Sequence, residues 1–362
     1  MDYEGRQNRL KSVLPSHGLD GLLVTHLPNI RYLSGFTGSS AALLVTEAQN
    51  VFFTDGRYIE QAREEVQGAK VVIDRKAALP SAGEWLSRKA KKLRLKTLGI
   101  EAERMNIAER SRLAKILGSS IRLREAPPLV EQARMVKDRE ELDRLRKAVL
   151  LGSSLFEVAL KSIRPGVKEV EVAAEMEYAA RRAGAEAMSF DTIIASGPRS
   201  ALPHGRASDA AIPVQGFVVC DFGVILAGYC SDRTRTVHVG QPSSDARRLY
   251  QAVKDAQEAA IAAVKPGIPV SKVDGAARAV LTRNGLGKYF THSTGHGVGL
   301  EIHEPPRIAT GQKQVLSPGM VITVEPGVYI PGSGGVRIED MVVVTDHGCE
   351  VLTPTSKELI VI

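Results

Sequence analysis

The sequence predicts an α/β N-terminal domain over residues 1–130, followed by an α+β C-terminal domain with internal pseudo-twofold symmetry over residues 131–362. Three observations lead to this prediction: alternating apolar runs and amphipathic helices before residue 130, a Pro-Pro pair at residues 127–128, and a repeated pattern beyond it. With 43% hydrophobic and 25% charged residues, the composition is typical of folded globular domains.

Short apolar runs predict four strands in the N-terminal domain, at residues 21–25, 42–46, 51–54 and 71–74. Apolar residues at helical spacing predict three helices, at residues 57–67, 81–93 and 106–117. Beyond Pro127-Pro128, a long helix is predicted from about residue 137, because acidic residues occupy its first turn.

The C-terminal domain contains a repeated pattern. Pro-Gly pairs begin at residues 165 and 266, and Gly184 and Gly285 close the helical units that follow, so both offsets are 101 residues. A long helix precedes each Pro-Gly pair, at residues 137–163 and 244–264. A pair of strands follows each unit, at residues 217–239 and 320–345. The equal offsets favour a duplicated half-domain, in which a site between the halves takes side chains from both.

Charge and cysteine content exclude several functional classes. The net charge is +7, and the basic run at residues 88–96 contains no aromatic side chains for stacking on bases, so we interpret it as a solvated helix face and expect no nucleic-acid partner. Three cysteines without a CxxC pair predict neither a disulfide framework nor a thiolate zinc site. The charged N-terminus and the absence of a run of about 20 apolar residues predict a cytoplasmic protein without a membrane partner.

Two pairs of acidic residues fall within apolar strands, where a lone carboxylate is costly to bury. Asp221 and Asp232 flank a predicted turn near residues 226–227, and we expect them opposite each other at about 5 Å. Glu325 and Glu339 are symmetric about Gly332 in the second strand pair. Because facing carboxylates repel each other, each pair indicates a site for a cation.

A glycine-rich segment between the strand pairs adds three histidines, His292, His296 and His303. Its glycines allow close approach of the backbone. A single buried aspartate or histidine normally has a structural role, but four carboxylates and one imidazole together suit Mn, Co, Fe or Zn ions. Four acids are more than one ion needs, so we expect two bridged divalent ions.

These motifs resemble the superfamily of aminopeptidase P, prolidase and methionine aminopeptidase, which has the pita-bread fold. The matching strings are Cys220-Asp221-Phe222-Gly223, Tyr229-Cys230-Ser231-Asp232-Arg233-Thr234, Thr294-Gly295-His296-Gly297-Val298-Gly299, Val324-Glu325-Pro326-Gly327 and Gly335-Val336-Arg337-Ile338-Glu339-Asp340. Residues 29–38 and 53–58 are similar to the additional, creatinase-like N-terminal domain of the proline-specific members, which typical methionine aminopeptidases lack.

The resemblance implies roles for ten residues. The implied metal ligands, with Asp232 and Glu339 bridging two ions, are Asp221, Asp232, His296, Glu325 and Glu339. Glu325 is also implied as the general base and acid, and His204 and His303 as catalytic histidines near the scissile bond. His292, Arg337 and Tyr329 are implied as substrate-binding or supporting residues.

The activity that the resemblance implies first is an Xaa-Pro aminopeptidase, which removes the residue before a proline in second position through a hydroxide bridging two metal ions. Manganese is the expected metal, with Co, Zn or Fe as alternatives, and a homodimer is expected. An Xaa-Pro dipeptidase, which accepts only dipeptides, is the close alternative. A metal-free creatinase-like hydrolase and a non-catalytic binding module are more distant alternatives, because both typically lose ligands that this chain retains.

Overall fold

The computed structural model describes all 362 residues, which divide into two units, Met1–Arg134 and Met135–Ile362. The strands of the first unit are β1 (Gly21–Val24), β2 (Ala42–Thr46), β3 (Asn50–Asp55), β4 (Lys70–Asp74), β5 (Thr97–Glu101) and β6 (Arg122–Ala126). The helices before and at the division are α1 (Tyr3–Val13), α2 (Leu27–Ser34), α3 (Ile59–Glu65), α4 (Ala78–Leu93), α5 (Ile107–Leu117) and α6 (Leu129–Met135).

The six strands form one mixed sheet in the order β4-β3-β2-β1-β5-β6. The central strands β1, β2 and β3 are buried along their whole length, which explains why their sequences are almost continuously apolar. Helices α4 and α5 share a core with them, formed by residues such as Leu23, Phe53, Leu86 and Leu113. The four predicted strands are therefore confirmed. Strand β6, at the sheet edge, was missed because charged residues interrupt its apolar pattern.

The second unit contains four longer helices, α7 (Arg139–Ser162), α8 (Glu169–Arg182), α9 (Ser244–Ala262) and α10 (Val270–Arg283). Its strands are β7 (Ala187–Met188), β8 (Ile193–Ser196), β9 (Gly216–Phe222), β10 (Val224–Leu226), β11 (Tyr229–Cys230), β12 (Arg233–Val239), β13 (Gly295–Gly297), β14 (Glu304–Ile308), β15 (Val321–Val324), β16 (Gly327–Ile330), β17 (Gly334–Arg337), β18 (Asp340–Val344) and β19 (Cys349–Val351). Nowhere does the chain form a helix with the length and apolar character needed to cross a membrane.

The second unit is built from two similar halves, each with a helix pair packed on antiparallel strands. Helices α7 and α8 cover the sheet β12-β9-β8 through residues such as Phe156, Met176 and Val218. Helices α9 and α10 cover the sheet β14-β13-β15-β18-β19 through residues such as Val253 and Ile322. The predicted duplication is confirmed, since each half has a helix pair that packs on an antiparallel sheet and encloses its own apolar core.

The repeat extends to the backbone of the Pro-Gly turns. Gly166 and Gly267 have φ angles of 87° and 82°, in the left-handed region that favours glycine. The Gly166 N–H donates to Ile212 O and the Gly267 N–H donates to Leu316 O, each at 2.9 Å. The two closing glycines of the repeat also have positive φ angles, 96° and 72°. The same turn is therefore built twice, 101 residues apart.

Candidate metal centre

Strand pairing brings each pair of acidic residues to one place in the sheet. The expected opposition of Asp221 and Asp232 holds only roughly, because Asp221 pairs with Thr234 and Asp232 lies two residues earlier, just before β12. Side chains two residues apart share a face of a strand, so the two aspartates are diagonal neighbours. By contrast, β15–β18 and β16–β17 keep one register, which places Glu325 opposite Glu339 as predicted.

His296 projects from β13 towards these carboxylates. Its Nε2 atom lies 3.5 Å from Asp232 Oδ2 and 3.4 Å from Glu325 Oε1. Ligand atoms of Asp232, His296 and Glu339 lie within 4.8 Å of one another. His296 Nδ1 lies 3.0 Å from Gly297 O and therefore carries the ring proton. The Nε2 lone pair is left facing the acids, as a metal ligand requires.

The glycines beside His296 are required by the close approach of neighbouring strands. A Cβ atom on Gly295 would lie 2.0 Å from Thr323 O, and one on Gly297 would lie 2.3 Å from Pro305 O. Real Cβ atoms do not approach a carbonyl oxygen this closely, so any other residue would displace β13. The glycine-rich pattern thus reflects the packing that brings His296 to the acids.

Two carboxylate oxygens at the site are buried without a hydrogen-bond partner, Asp221 Oδ1 and Glu339 Oε1. The other oxygen of each group is satisfied: Arg337 Nη2 donates to Asp221 Oδ2 at 2.5 Å, and Thr234 Oγ1 donates to Glu339 Oε2 at 2.8 Å. A buried oxygen without a donor is costly unless a cation takes its place. The donor set of four carboxylates and one imidazole therefore fits divalent metal ions.

The charges of the site depend on one another. Burial, followed by repulsion from the neighbouring acids, holds the pKa values of Asp232 and Glu339 well above the usual range. Burial also raises the pKa of Glu325 to about 8. Burial and then the nearby His303 lower the pKa of His296 to about 4, so its imidazole is neutral at neutral pH. A divalent cation would counter the repulsion and keep the carboxylates ionised.

The four acids and His296 line a cavity of about 990 Å³. The other predicted site residues that line it are His204, His292, His303 and Arg337. Tyr329 lies behind them: its hydroxyl accepts from Arg337 Nη1 at 2.7 Å and contacts His292 Nε2 at 2.9 Å. The structure thus brings nine of the ten predicted residues into one cavity and places the tenth in contact with two of them.

Sequence reasoning missed several residues that support or line the cavity. Thr234 and Thr323 bind the carboxylates of Glu339 and Glu325, and Thr234 also accepts a hydrogen bond from Arg337 Nε at 3.0 Å. Thr234 could have been found, since it lies two residues after Asp232 on the same face of the strand. Arg206 and Arg307 line the cavity itself. Arg206 follows His204 by two residues in the string that carries that histidine, whereas Arg307 belongs to no motif identified in the sequence.

Two protein families match this chain, and one of them is a family of metallopeptidases. The profile of metallopeptidase family M24 matches residues 143–346, which include all five candidate ligands. The profile of the creatinase/prolidase N-terminal domain matches residues 6–136. A family whose members are metal-dependent peptidases accounts for the buried carboxylates and the neutral histidine described above.

Proteins similar to this chain cover nearly all of it. An Xaa-Pro dipeptidase of Pyrococcus horikoshii is 38% identical over 359 residues, covering 96% of both chains. The structure of an Xaa-Pro dipeptidase from Bacillus anthracis has a TM-score of 0.95 at 40% identity, covering 99% of this chain and 100% of that one. The structure of an X-Pro aminopeptidase from Thermotoga maritima has a TM-score of 0.89 at 36% identity, covering 99% and 100%. The chain has the pita-bread fold and belongs to metallopeptidase family M24.

Proposed function

We propose that this peptidase is an Xaa-Pro dipeptidase, which cleaves dipeptides that end in proline. The observation that carries the proposal is the convergence of four acids and His296 on one cavity in a chain that is similar over its whole length to proteins named Xaa-Pro dipeptidase. The sequence alone favoured an Xaa-Pro aminopeptidase. The names of the relatives favour the dipeptidase alternative instead.

The residues that would hold two divalent ions are the five predicted ligands, Asp221, Asp232, His296, Glu325 and Glu339. Oxygen-rich ligands with one imidazole suit Mn²⁺, which we propose as the metal. The chemistry that such ions supply is polarisation of the scissile carbonyl and a lowered pKa of water. The unpaired oxygens of Asp221 and Glu339 support this assignment, because they are available to a cation.

The remaining steps fall to side chains around the cavity. Glu325 would accept the proton of the attacking water and return it to the proline nitrogen as the peptide bond breaks. His303, whose ring lies 4.4 Å from that of His296, would donate a hydrogen bond to the developing oxyanion. His204 would assist at the leaving nitrogen. Arg337 holds Asp221 and Tyr329 in place, and Tyr329 in turn contacts His292.

A dipeptide differs from a longer substrate in the free carboxylate on its proline, and Arg307 is the group that would bind it. Of the three arginines that line the cavity, Arg206 and Arg337 each pair with an aspartate, whereas Arg307 is exposed and has no carboxylate partner. Arg307 pairs with His296 across β13 and β14, which places it on the metal side of the cavity. A guanidinium can bind a carboxylate with two parallel hydrogen bonds.

The test compares hydrolysis of Ala-Pro and Arg-Pro-Pro by the Mn²⁺-loaded protein and by its Arg307→Gln variant. We expect cleavage of Ala-Pro alone, and an increase in KM of about tenfold or more in the variant, as for the loss of a charged hydrogen bond. Arg206→Gln is the matched control, because Arg206 also lines the cavity but already has a partner; its KM should not change.

An Xaa-Pro aminopeptidase is the second candidate, favoured by the similarity to the X-Pro aminopeptidase structure from Thermotoga maritima. Cleavage of Arg-Pro-Pro at a rate comparable to that of Ala-Pro, with no effect of Arg307→Gln, would support this candidate and exclude the dipeptidase. The homodimer and the cytoplasmic location stay predictions.

A further inference from the structure

Glu169, the first residue of α8, is a fully buried carboxylate that accepts five hydrogen bonds. One oxygen accepts from Ser196 N and Oγ at 2.7 and 2.8 Å. The other accepts from Arg199 Nε at 3.0 Å and from Ser208 N and Oγ at 3.2 and 2.8 Å. A single side chain thus binds both ends of the segment between residues 196 and 208, as well as an arginine within it.

The segment held by Glu169 carries His204, which is exposed on the cavity. Arg199 reaches back across the segment, because its Nη2 atom donates to Arg206 O at 2.8 Å. Arg337 Nη1 donates to Pro203 O at 3.1 Å and ties the segment to the metal centre. The His204 side chain is exposed and makes no hydrogen bond or ion pair of its own, so its position depends on the backbone that these residues fix.

The second half of the unit contains the same arrangement around Asp274 in α10. This fully buried carboxylate accepts from Thr294 Oγ1 at 2.8 Å and from Thr310 Oγ1 at 2.7 Å, so it binds both ends of the segment that carries His296 and His303. Its arginine partner is Arg278, whose Nε donates to Asp274 Oδ2 at 2.8 Å. Relative to the 101-residue repeat, Asp274 lies one helical turn further along its helix than Glu169 does.

Arg278 extends this anchor to the strand segment before His296. Its Nη2 atom donates to His292 O at 2.5 Å and its Nη1 atom donates to Phe290 O at 3.2 Å. The guanidinium also lies 4.3 Å from the centre of the Phe290 ring. The three histidines of the glycine-rich segment are therefore all connected to α10 through one carboxylate–arginine pair.

We propose that Glu169 and Asp274 are positioning residues, each of which anchors one histidine-bearing segment of the active site to the helix behind it. The anchoring is specific, because each carboxylate binds hydroxyl groups at both ends of its segment. Each also binds an arginine, and that arginine contacts a carbonyl inside the segment in the case of Arg199 and carbonyls just before it in the case of Arg278. The proposal rests on the proposed function for the roles of His204 and His296. Loss of the two anchors should cause different defects. Glu169 positions His204, which is near the leaving group, whereas Asp274 positions the metal ligand His296.

Glu169 is tested with Glu169→Gln, His204→Ala and the double variant on the Mn²⁺-loaded protein. Glutamine replaces one carboxylate oxygen with an NH₂ group, which would face the hydrogen-bond donors of the segment and disturb its position. We therefore expect kcat/KM for Ala-Pro to fall by about tenfold, because misplacing a reacting group lowers the rate. Bound manganese should be unchanged. If Glu169 acts through His204, the double variant should be no slower than His204→Ala. The matched control is Glu175→Gln, an exposed position of the same helix, which should leave the rate unchanged.

Ser208→Ala is a milder test that keeps the charge pair and removes one hydroxyl; it should lower kcat/KM by a few-fold in the same direction. His204→Ala with wild-type activity would contradict the proposed role of His204, and hence the proposed function. If His204→Ala is impaired but Glu169→Gln and Ser208→Ala are not, the Glu169 anchor is overturned. Additive losses in the double variant would also overturn it, because they would show a general effect of Glu169 on the fold.

The Asp274 anchor is tested by measuring Mn²⁺ binding as well as activity. Asp274→Asn should weaken Mn²⁺ binding by about tenfold and the milder Thr310→Val by a few-fold, because loss of groups that orient a histidine ligand costs about 10–100-fold in metal affinity and Asp274 acts on His296 only through its segment. Mn²⁺ titration of the metal-free proteins measures the change, and Glu169→Gln is the comparison that should bind Mn²⁺ normally. Wild-type Mn²⁺ affinity and wild-type kcat/KM in both variants would overturn the Asp274 anchor.

Discussion

At the scale of single residues, the site combines charges that the folded chain does not neutralise by itself. Asp232 and Glu339 are almost fully buried, and each faces other acids. Only Asp221 has a direct arginine partner, at 2.5 Å from Arg337 Nη2. Metal-free protein must either protonate some of these groups or bear their repulsion. The stability of the protein should therefore depend on pH and on metal together.

The first prediction concerns the pH dependence of the metal-free protein. The pKa of Glu325 is raised to about 8, and the pKa values of Asp232 and Glu339 are raised well above the usual range. Above about pH 4.5 the folded state therefore binds more protons than the unfolded state does. The free energy of unfolding then falls as the pH rises towards 8. The lowered pKa values of His292 and His296, to about 4, have the opposite effect between pH 4 and 6.5. The histidine contribution fades above pH 6.5, where an unfolded histidine loses its own proton, so the acids dominate towards pH 8 and we expect Tm to fall.

The measurement is thermal unfolding at several pH values between 6.5 and 8, with EDTA and with Mn²⁺. Bound metal keeps the carboxylates ionised without repulsion, so Tm with Mn²⁺ should change little over this range. The gain in Tm from Mn²⁺ should therefore increase with pH. A metal-free Tm that rises or stays constant from pH 6.5 to 8 would contradict the charges assigned to the site.

At the scale of elements, the Pro-Gly turns show which part of the repeat is required by the backbone. Gly267 has a φ angle of 82°, and a Cβ atom there would meet nothing within 4 Å. Gly267→Ala should therefore destabilise the protein through strain alone, by about 1–2 kcal/mol. Gly275, an exposed helical glycine in α10, also has open space around it; Gly275→Ala should be neutral or stabilise by up to about 1 kcal/mol.

Urea unfolding of the two glycine variants measures this difference, and Ala-Pro hydrolysis serves as the control for an intact active site. Activity should be retained in both variants, since neither glycine lies in the cavity. Equal stabilities of Gly267→Ala and Gly275→Ala would show that the left-handed turn is not what the repeated Pro-Gly pairs require.

The elements also show where prediction from sequence succeeds. Strands such as β2 are buried throughout and have a continuous apolar sequence, and the long helices α7 and α9 follow helical spacing, so they were predicted within a few residues. The hairpin of Glu325 and Glu339 was predicted in register because its strands are symmetric about the turn. The first hairpin was not, because its turn is centred between Ala227 and Gly228, one residue later than expected, which moves Asp232 by two residues relative to the partner of Asp221.

At the scale of the whole molecule, the repeat and the motifs were enough to predict the duplicated fold and the side chains that share one cavity. The supporting contacts could not be predicted, because they join residues far apart in sequence: Thr234 binds Glu339, and Glu169 binds Ser196 and Ser208. Such contacts depend on which strands become neighbours, and hydroxyl groups carry no pattern that indicates it. Similarity to known proteins showed the family that the motifs resemble and favours the dipeptidase alternative.

The measurement that tests the central claim most directly is the rate of Ala-Pro hydrolysis by metal-free protein as Mn²⁺ is added. Two ions held by Asp221, Asp232, His296, Glu325 and Glu339 predict no cleavage without metal and a rate that rises to a plateau at two Mn²⁺ ions per chain. Full activity without metal, or no cleavage of Ala-Pro at any amount of Mn²⁺, would contradict the account.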